Sequence, residues 1–223
     1  IFAHPDDEAF GPSGTLIMEA ESGTQIHLIT LTDGSAGCNP DRVENLGEIR
    51  LGEWRTAGDI IGATSMDHLG YRDGELSNRD MVEIADRIET IMHYHLKHLG
   101  PEDEVEMMSF EMGGITGHID HIVAARAACL TYHRLKPDEP RLRCIRLYCL
   151  PETLQPKPSL AWIFMDKGYA LDQLTSVNVR PVLDKRLQVI KAHHSQRGDA
   201  AMHVERCCNN SDQADRDYFL ERI

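Results

Sequence analysis

The chain opens with an apolar run and an acidic turn, Ile1-Phe2-Ala3-His4-Pro5-Asp6-Asp7-Glu8, followed by Ala9-Phe10-Gly11-Pro12-Ser13-Gly14. Apolar residues that lead directly into a Pro-bearing polar turn and a Ser/Gly-rich segment are typical of a buried strand that feeds a loop and a helix. In an open α/β sheet, ligands bind outside the carboxyl ends of the strands. This stretch therefore predicts one imidazole and several carboxylates at the edge of a crevice.

Strand and helix patterns alternate along the rest of the chain. We predict helices over 14–21, 46–61, 78–98 with Asn78 as its cap, 118–132 and 181–192, and strands over 25–32, 66–69, 104–110 and 143–150. This alternation predicts an α/β fold, with a Rossmann-like, mostly parallel sheet and helices on both faces.

The pattern loosens after Leu150. We expect residues 151–180 to form an insertion that roofs the pocket, with a hairpin at Lys167-Gly168 between an apolar run at 162–165 and a second at 169–171. Near the end of the chain, Tyr218-Phe219-Leu220 is expected to be the packed end of a helix.

Length, composition and charge limit the classes of protein to consider. The 223 residues, 41% hydrophobic and 26% charged, suit one domain over residues 1–223. A net charge of −13 disfavours binding to nucleic acid or to an anionic membrane, which requires clustered Lys and Arg. No apolar run approaches the roughly 20 residues of a membrane span. We therefore expect a small-molecule substrate, and the oligomeric state stays open.

The six cysteines contain no Cys-x-x-Cys pair, which favours reduced thiols in a cytoplasmic protein. The chain begins inside an apolar, strand-like run and without Met, so we expect residues ahead of Ile1.

A second polar cluster, Gly117-His118-Ile119-Asp120-His121, lies at the predicted start of a helix. His118 and His121 are three residues apart and share a helical face. A helix start disfavours a positively charged imidazole, so a cationic His118 would need a compensating carboxylate such as Asp120.

The two clusters together supply the ligands of a catalytic metal site. Catalytic zinc takes three protein ligands, nitrogen from His and oxygen from Asp or Glu, and keeps one position open for water. His4, one carboxylate of Asp6-Asp7 and one histidine of the second cluster give that number. The other carboxylate is then left to accept a proton from the attacking water. Fe²⁺ suits the same ligands as Zn²⁺.

At these residues the chain resembles the PIG-L/LmbE family of zinc-dependent N-acetylglucosaminyl deacetylases. The resemblance rests on six motifs in family order, which are Ala3-His4-Pro5-Asp6-Asp7-Glu8, Thr32-Asp33-Gly34, Arg50-x-x-Glu53, Asp73-Gly74-x-Leu76, Gly117-His118-Ile119-Asp120-His121 and Ala192-His193-His194-Ser195-Gln196. It implies a PIG-L/LmbE-like deacetylase fold and Zn²⁺ as the cofactor.

The resemblance also implies roles for single residues. These are three metal ligands (His4, Asp7 and His121), a general base (Asp6), a residue that acts on the tetrahedral intermediate (His118), two contacts to sugar hydroxyls (Arg50 and Asp73) and a residue near the site (His194). Ile119 replaces a frequent Pro, and Thr116 stands where some members carry a Tyr thought to assist the oxyanion.

The expected function is therefore removal of the N-acetyl group from an N-acetylglucosamine-type sugar or glycoside, which releases acetate and a free amine. Two alternatives stay open. One is a zinc hydrolase of another amide, such as an acyl peptide or glycopeptide. The other is a catalytically silent, zinc-containing binding module, which would need neither Asp6 nor His118.

Overall fold

A computed structural model describes residues 1–155, 168–208, 213 and 215–222, apart from the side chain of Arg222. The helices are α1 (Asp7–Phe10), α2 (Ser13–Glu21), α3 (Leu46–Ile61), α4 (Met81–Leu96), α5 (Gly114–Gly117), α6 (Ile119–Leu135), α7 (Leu183–Ala192) and α8 (Arg197–Cys208). The strands are β1 (His27–Thr32), β2 (Ser65–Tyr71), β3 (Val105–Phe110), β4 (Leu142–Cys149), β5 (Thr175–Asn178) and β6 (Arg216–Arg222). The α/β class is confirmed, with parallel strand pairs and helices around them.

The described residues fall into two compact units. Within the described part of the chain, the first unit comprises the residues of Phe2–Gly74 and Ser176–Tyr218, and the second comprises Ile1 and the residues of Glu75–Thr175 and Phe219–Ile223. That the chain forms one domain over residues 1–223 stays a prediction.

In the first unit, β1 and β2 run parallel, and Phe2 adds a parallel bridge to Thr30 on β1. β1 is buried along almost its whole length, as expected for a strand covered on both faces. The amide of Thr32 donates to the carbonyl of Ala3 at 2.9 Å. This pairing brings the turn that begins at His4 to the carboxyl end of β1, where the sequence predicted it.

In the second unit, β3 and β4 run parallel, and α6 packs against both β3 and α4. In this sheet, β4 lies between β3 and β6. β3 ends at Phe110, and α6 begins at Ile119, with His118 at its N-cap. The second histidine cluster therefore follows the end of a strand, whereas the first follows the single bridge of Phe2 to β1.

The agreement is closest where the apolar periodicity is long, since α3 has the predicted bounds. The prediction of Asn78 as the cap of α4 was wrong, because the N-cap is Asp80. Its carboxylate accepts hydrogen bonds from the amide and the hydroxyl of Ser77, at 2.8 and 2.7 Å, and so holds a turn over residues 77–80 ahead of the helix.

The prediction of a helix end at Tyr218-Phe219-Leu220 was also wrong, because these residues lie in β6. Phe219 is buried, and its ring contacts that of Tyr148 on β4 at 5.9 Å between centroids. Aromatic residues favour strands. In so short a segment this preference outweighs the apolar spacing that suggested a helix.

Residues 156–167, which include the first arm of the expected hairpin at Lys167-Gly168, lie outside the described residues, so the hairpin and the roofing role of 151–180 stay predictions. Within the described part, Tyr169 forms a parallel bridge with Pro151. None of the described helices is both long and apolar enough to cross a membrane. Cys38 and Cys208 are exposed free thiols, and Cys144 and Cys207 are buried ones.

Candidate active site

The acidic turn in the first unit has an unusual backbone conformation at Asp6. This residue precedes α1 and has φ 128° and ψ −21°. Residues other than glycine rarely adopt positive φ. The turn is stabilised because the carbonyl of Asp6 accepts the amides of Ala9 and Phe10, at 2.9 and 2.8 Å. Backbone strain of this kind concentrates at functional sites.

Asp7 is folded back over the turn that carries it. Its Oδ2 accepts hydrogen bonds from the backbone amides of Ala3, at 3.0 Å, and His4, at 2.9 Å. The carboxylate is buried, and the same oxygen lies 3.6 Å from Nδ1 of His4. Two candidate ligand atoms are therefore adjacent and are held by the local backbone.

The ring of His4 is oriented by a carboxylate from another strand end. Its Nε2 lies 2.9 Å from Oδ1 of Asp73, which follows β2. A carboxylate oxygen accepts, so Nε2 carries the proton and Nδ1 carries the lone pair. Burial acts to raise the pKa of Asp73, but the hydrogen bonds from His4 and from the amide of Ala36 outweigh it, so this pKa is lowered.

The His4 and Asp7 pair fits two ligands of a divalent metal ion. Zinc takes nitrogen and oxygen ligands at about 2.0–2.2 Å in tetrahedral geometry, which separates two ligand atoms by about 3.4 Å. The observed 3.6 Å between Nδ1 of His4 and Oδ2 of Asp7 is close to that value. A carboxylate that accepts from the other ring nitrogen, as Asp73 does, is typical of metal-binding histidines.

Asp6 is buried and is held by the guanidinium of Arg50. Nη2 of Arg50 donates to Oδ2 of Asp6 at 2.8 Å and to the carbonyl of Pro5 at 2.9 Å, and Nη1 donates to the carbonyl of Gly34 at 2.6 Å. Burial raises the pKa of Asp6 to about 6, although Arg50 opposes the rise. A carboxyl group with a pKa near neutrality is suited to general-base catalysis.

The residues predicted to bind substrate occupy different environments. The side chains of Arg50 and Asp73 form hydrogen bonds with other groups of the protein in the first unit. Their contact with a sugar stays a prediction. His194 is exposed, whereas the adjacent His193 is fully buried with Nε2 at 3.4 Å from Oε1 of Glu8. Sequence reasoning missed this buried pair, although Glu8 belongs to the first motif and His193 to the last.

A further contact that the sequence did not suggest joins two of the motifs. The carboxylate of Glu53 accepts from the amide of Ser195 at 2.7 Å and from its hydroxyl at 2.6 Å. Glu53 therefore anchors the segment that carries His193 and His194 to α3.

In the second unit, His121 is oriented by a backbone carbonyl. Its Nδ1 lies 3.0 Å from the oxygen of Gly114. Because a carbonyl oxygen only accepts, Nδ1 carries the proton, and the lone pair of the neutral ring is at Nε2. Metal-binding histidines commonly donate their other ring N–H to a carboxylate or to a backbone carbonyl. His4 has the first arrangement, and His121 has the second.

His118 has the opposite arrangement. It is the N-cap of α6, and its Nδ1 accepts the amide of Asp120 at 3.2 Å. The neutral ring therefore carries its proton at Nε2. The expected conflict between an imidazolium and the helix start does not arise in this form, and the buried Asp120 instead accepts the amide of Leu76 at 3.2 Å. The rings of His118 and His121 are 5.1 Å apart between centroids.

The structure thus groups His4, Asp6, Asp7, Arg50 and Asp73 in the first unit and His118 and His121 in the second. That the two clusters share one metal ion stays a prediction.

Two curated relatives are similar in sequence. A 1D-myo-inositol 2-acetamido-2-deoxy-alpha-D-glucopyranoside deacetylase from Streptomyces avermitilis is 31% identical over 153 residues, which cover 57% of this chain and 50% of that protein. A probable N-acetyl-alpha-D-glucosaminyl L-malate deacetylase 2 from Bacillus cereus is 25% identical over 202 residues, which cover 88% and 81%. The chain spans about half the length of most curated relatives it matches.

Among solved structures, the N,N'-diacetylchitobiose deacetylase from Pyrococcus horikoshii has a TM-score of 0.68 at 18% identity, over 98% of this chain and 80% of that chain. The likeness confirms the predicted deacetylase fold. Residues 1–132, more than half of the chain, match the PIG-L family, described as GlcNAc-PI de-N-acetylase. The chain therefore belongs to the PIG-L family.

Proposed function

We propose that the chain is a metal-dependent hydrolase that removes the N-acetyl group from an N-acetylglucosamine-type sugar or glycoside. The observation that carries the proposal is the opposite hydrogen bonding of two neighbouring histidines. Nδ1 of His121 donates to Gly114, whereas Nδ1 of His118 accepts from Asp120. One ring is thus prepared to bind a metal ion and the other to donate an N–H, a division that a purely structural metal site does not need.

Two units supply the ligands in this proposal. His4 and Asp7 from the first unit and His121 from the second would hold one ion, Zn²⁺ or Fe²⁺, which gives the three protein ligands of a catalytic site. When bound, the ion would polarise the amide carbonyl and acidify a water molecule.

Asp6 is the general base in the proposal. Since Arg50 binds Oδ2, the proton of the attacking water is assigned to Oδ1. The new bond forms between the water oxygen and the carbonyl carbon. The proton then passes from Asp6 to the nitrogen as the carbon–nitrogen bond breaks, so a free amine and acetic acid leave and Asp6 is ionised again. The acetic acid releases its own proton to solvent and becomes acetate.

His118 stabilises the negative charge that develops on the carbonyl oxygen. As a neutral ring with its proton at Nε2, it donates a hydrogen bond and keeps its capping bond to Asp120 throughout the reaction. Thr116 stands where some family members carry a Tyr, so His118 is the side chain to which we assign this task.

The most specific part of the proposal is that the substrate is an N-acetylated sugar. Relatives named for deacetylation of N-acetylglucosaminyl compounds support it. Arg50 and Asp73 would contact sugar hydroxyls in addition to the protein groups they hold, and His194 would contact substrate from the surface. A small neutral substrate is also compatible with the net charge of −13. We place the enzyme in the cytoplasm, a location that the free thiols support.

The test measures acetate release from N-acetyl sugars, N-acetyl amino acids and acetylated peptides, with and without a chelator. We expect release from the sugars alone, and loss of release with the chelator. Asp6→Asn should lower kcat by at least about 100-fold while the metal content is retained. Asp59→Asn, an exposed acidic residue on α3, is the matched control. Wild-type turnover by Asp6→Asn would refute the assignment of the base.

A further inference from the structure

The turn between β3 and α6 contains a strained residue. Ile115 has φ 62° and ψ −57°, and the preceding Gly114 has φ 70°. A β-branched residue at positive φ is an outlier, because its side chain is crowded against its own backbone. Such a conformation persists only where the surrounding groups hold it in place, often at functional sites.

One carboxylate holds this turn. Oε2 of Glu111 accepts the amide of Gly113 at 2.7 Å, and Oε1 accepts the amide of Ile115 at 2.8 Å. The backbone carbonyl of Glu111 also accepts the amide of Gly114 at 2.8 Å. Glu111 is only 8% exposed, and the hydroxyl of Tyr169 donates to its Oε2 at 3.1 Å. Glu111 therefore binds the amides on both sides of Gly114.

The held turn is pressed against the start of α6. A Cβ on Gly114 would lie 2.7 Å from Cβ of His121 and 2.9 Å from the amide nitrogen of Ile122. With glycine there, the carbonyl of Gly114 faces Nδ1 of His121 at 3.0 Å. The position of this carbonyl depends on the turn, and it determines which nitrogen of His121 carries the proton.

We propose that Glu111 is a positioning residue for the metal centre. By binding the amides of Gly113 and Ile115, it holds the carbonyl of Gly114 against Nδ1 of His121, so the lone pair of His121 is kept at Nε2. The inference rests on the proposed function, in which His121 is a metal ligand.

The strain at Ile115 separates this role from a general contribution to stability. Without the carboxylate, the isoleucine favours negative φ, and the carbonyl of Gly114 rotates away from His121. Glycine at position 115 adopts positive φ without crowding, so the turn would then persist without the carboxylate. Ile115→Gly is therefore expected to rescue a Glu111 variant.

The experiment uses the full chain, freed of metal and titrated with Zn²⁺ against a competing chelator. Glu111→Gln is expected to lower the affinity for Zn²⁺ by about 10- to 100-fold. Glu111→Gln/Ile115→Gly is expected to recover most of the loss, and Ile115→Gly alone to bind as the wild type does. Tyr169→Phe is the matched control, because it removes a hydrogen bond to Glu111 and leaves both amide bonds in place.

A second measurement reports the tautomer directly. In the metal-free protein, ¹⁵N spectra of the imidazoles, with His121 identified by its absence in His121→Gln, should show the proton on Nδ1 in the wild type. Glu111→Gln should show a mixture of the two tautomers. Should Glu111→Gln fail to fold, Glu111→Asp, whose shorter side chain cannot span both amides, carries the same expectations.

The outcomes distinguish the two proposals. Wild-type affinity and an unchanged tautomer in Glu111→Gln, together with loss of zinc in His121→Ala, would refute the role of Glu111 and leave the proposed function intact. A loss of affinity that Ile115→Gly does not recover would also refute it. Wild-type zinc binding by His121→Ala would refute the proposed function itself.

Discussion

Each of the two turns that carry a histidine fixes the orientation of an imidazole ring, but the two turns use different parts of the chain to do so. In the first unit, His4 is oriented by the side chain of Asp73, which the parallel pairing of β1 and β2 brings to it. In the second unit, His121 is oriented by the carbonyl of Gly114, within the turn that precedes its own helix. The first arrangement depends on long-range folding, and the second on local backbone conformation.

The first turn is also supported by a buried pair of side chains, whereas the second turn is held by the single carboxylate of Glu111. Glu8 lies under the turn against the fully buried His193, at 3.4 Å. Burial acts to lower the pKa of His193, but Glu8, with Asp6 and Glu53, outweighs it, so this pKa is raised. The imidazole of His193 therefore pairs with the carboxyl group of Glu8 inside the first unit.

We expect the largest effect from breaking that pair. His193→Ala leaves a buried carboxylate without its partner and should lower the free energy of unfolding by about 3–5 kcal/mol. His194→Ala, at the exposed neighbouring position, should change it by no more than about 0.5 kcal/mol. Urea unfolding of the two variants provides the comparison. Equal stabilities would show that the buried pair does not support the first turn.

The next effect should come from the carboxylate that orients His4. Asp73→Asn can still accept at its amide oxygen, but it loses the charge and half of the acceptor capacity. We expect the affinity for Zn²⁺ to fall by about 10- to 100-fold, equivalent to about 1.4–2.8 kcal/mol. The loss should resemble that in Glu111→Gln, but Ile115→Gly should not recover it. Recovery by Ile115→Gly would mean that the two turns are not oriented independently.

The same contrast explains what the sequence predicted and what it did not. Residue types and spacing identified the polar clusters at His4 and His118, and a long apolar stripe predicted α3 at both ends. Neither the type nor the spacing of a histidine reveals which ring nitrogen carries the proton. That depends on one contact, made by Asp73 in one turn and by Gly114 in the other.

The sequence pattern also did not predict which side chains are buried where the chain lies outside regular helices and strands. Adjacent His193 and His194 lie at the junction of α7 and a 3₁₀ turn, where no period tells which side chain faces inward. Glu111 follows the end of β3 and carries no motif signal, so its bonds to Gly113 and Ile115 emerge only from the folded turn.

Lowering the pH should reduce the stability of the first unit because of His203, a histidine that lies outside both turns. His203 on α8 is half-buried and stacks on Phe10 at 4.6 Å between ring centroids. Burial lowers its pKa from 6.5 to about 3, and the positive charges of Arg206 and Arg186 act in the same direction. The folded protein thus keeps His203 neutral at a pH where the unfolded chain protonates it.

The sign of the effect follows from proton uptake. Between about pH 6.5 and pH 3 the unfolded state binds one more proton at His203, so stability falls as the pH falls. Because a single proton is involved, the group contributes at most about 1.4 kcal/mol per pH unit, and the partial exposure of the side chain lowers the contribution further. Phe10 ends α1, so the protection factors of amide hydrogen exchange in α1 and α8, which are corrected for the intrinsic pH dependence of exchange, should fall before those in α6 as the pH is lowered. His203→Gln should abolish the difference. A simultaneous loss of protection in α6 of the wild type would assign the acid sensitivity to the whole chain rather than to the first turn.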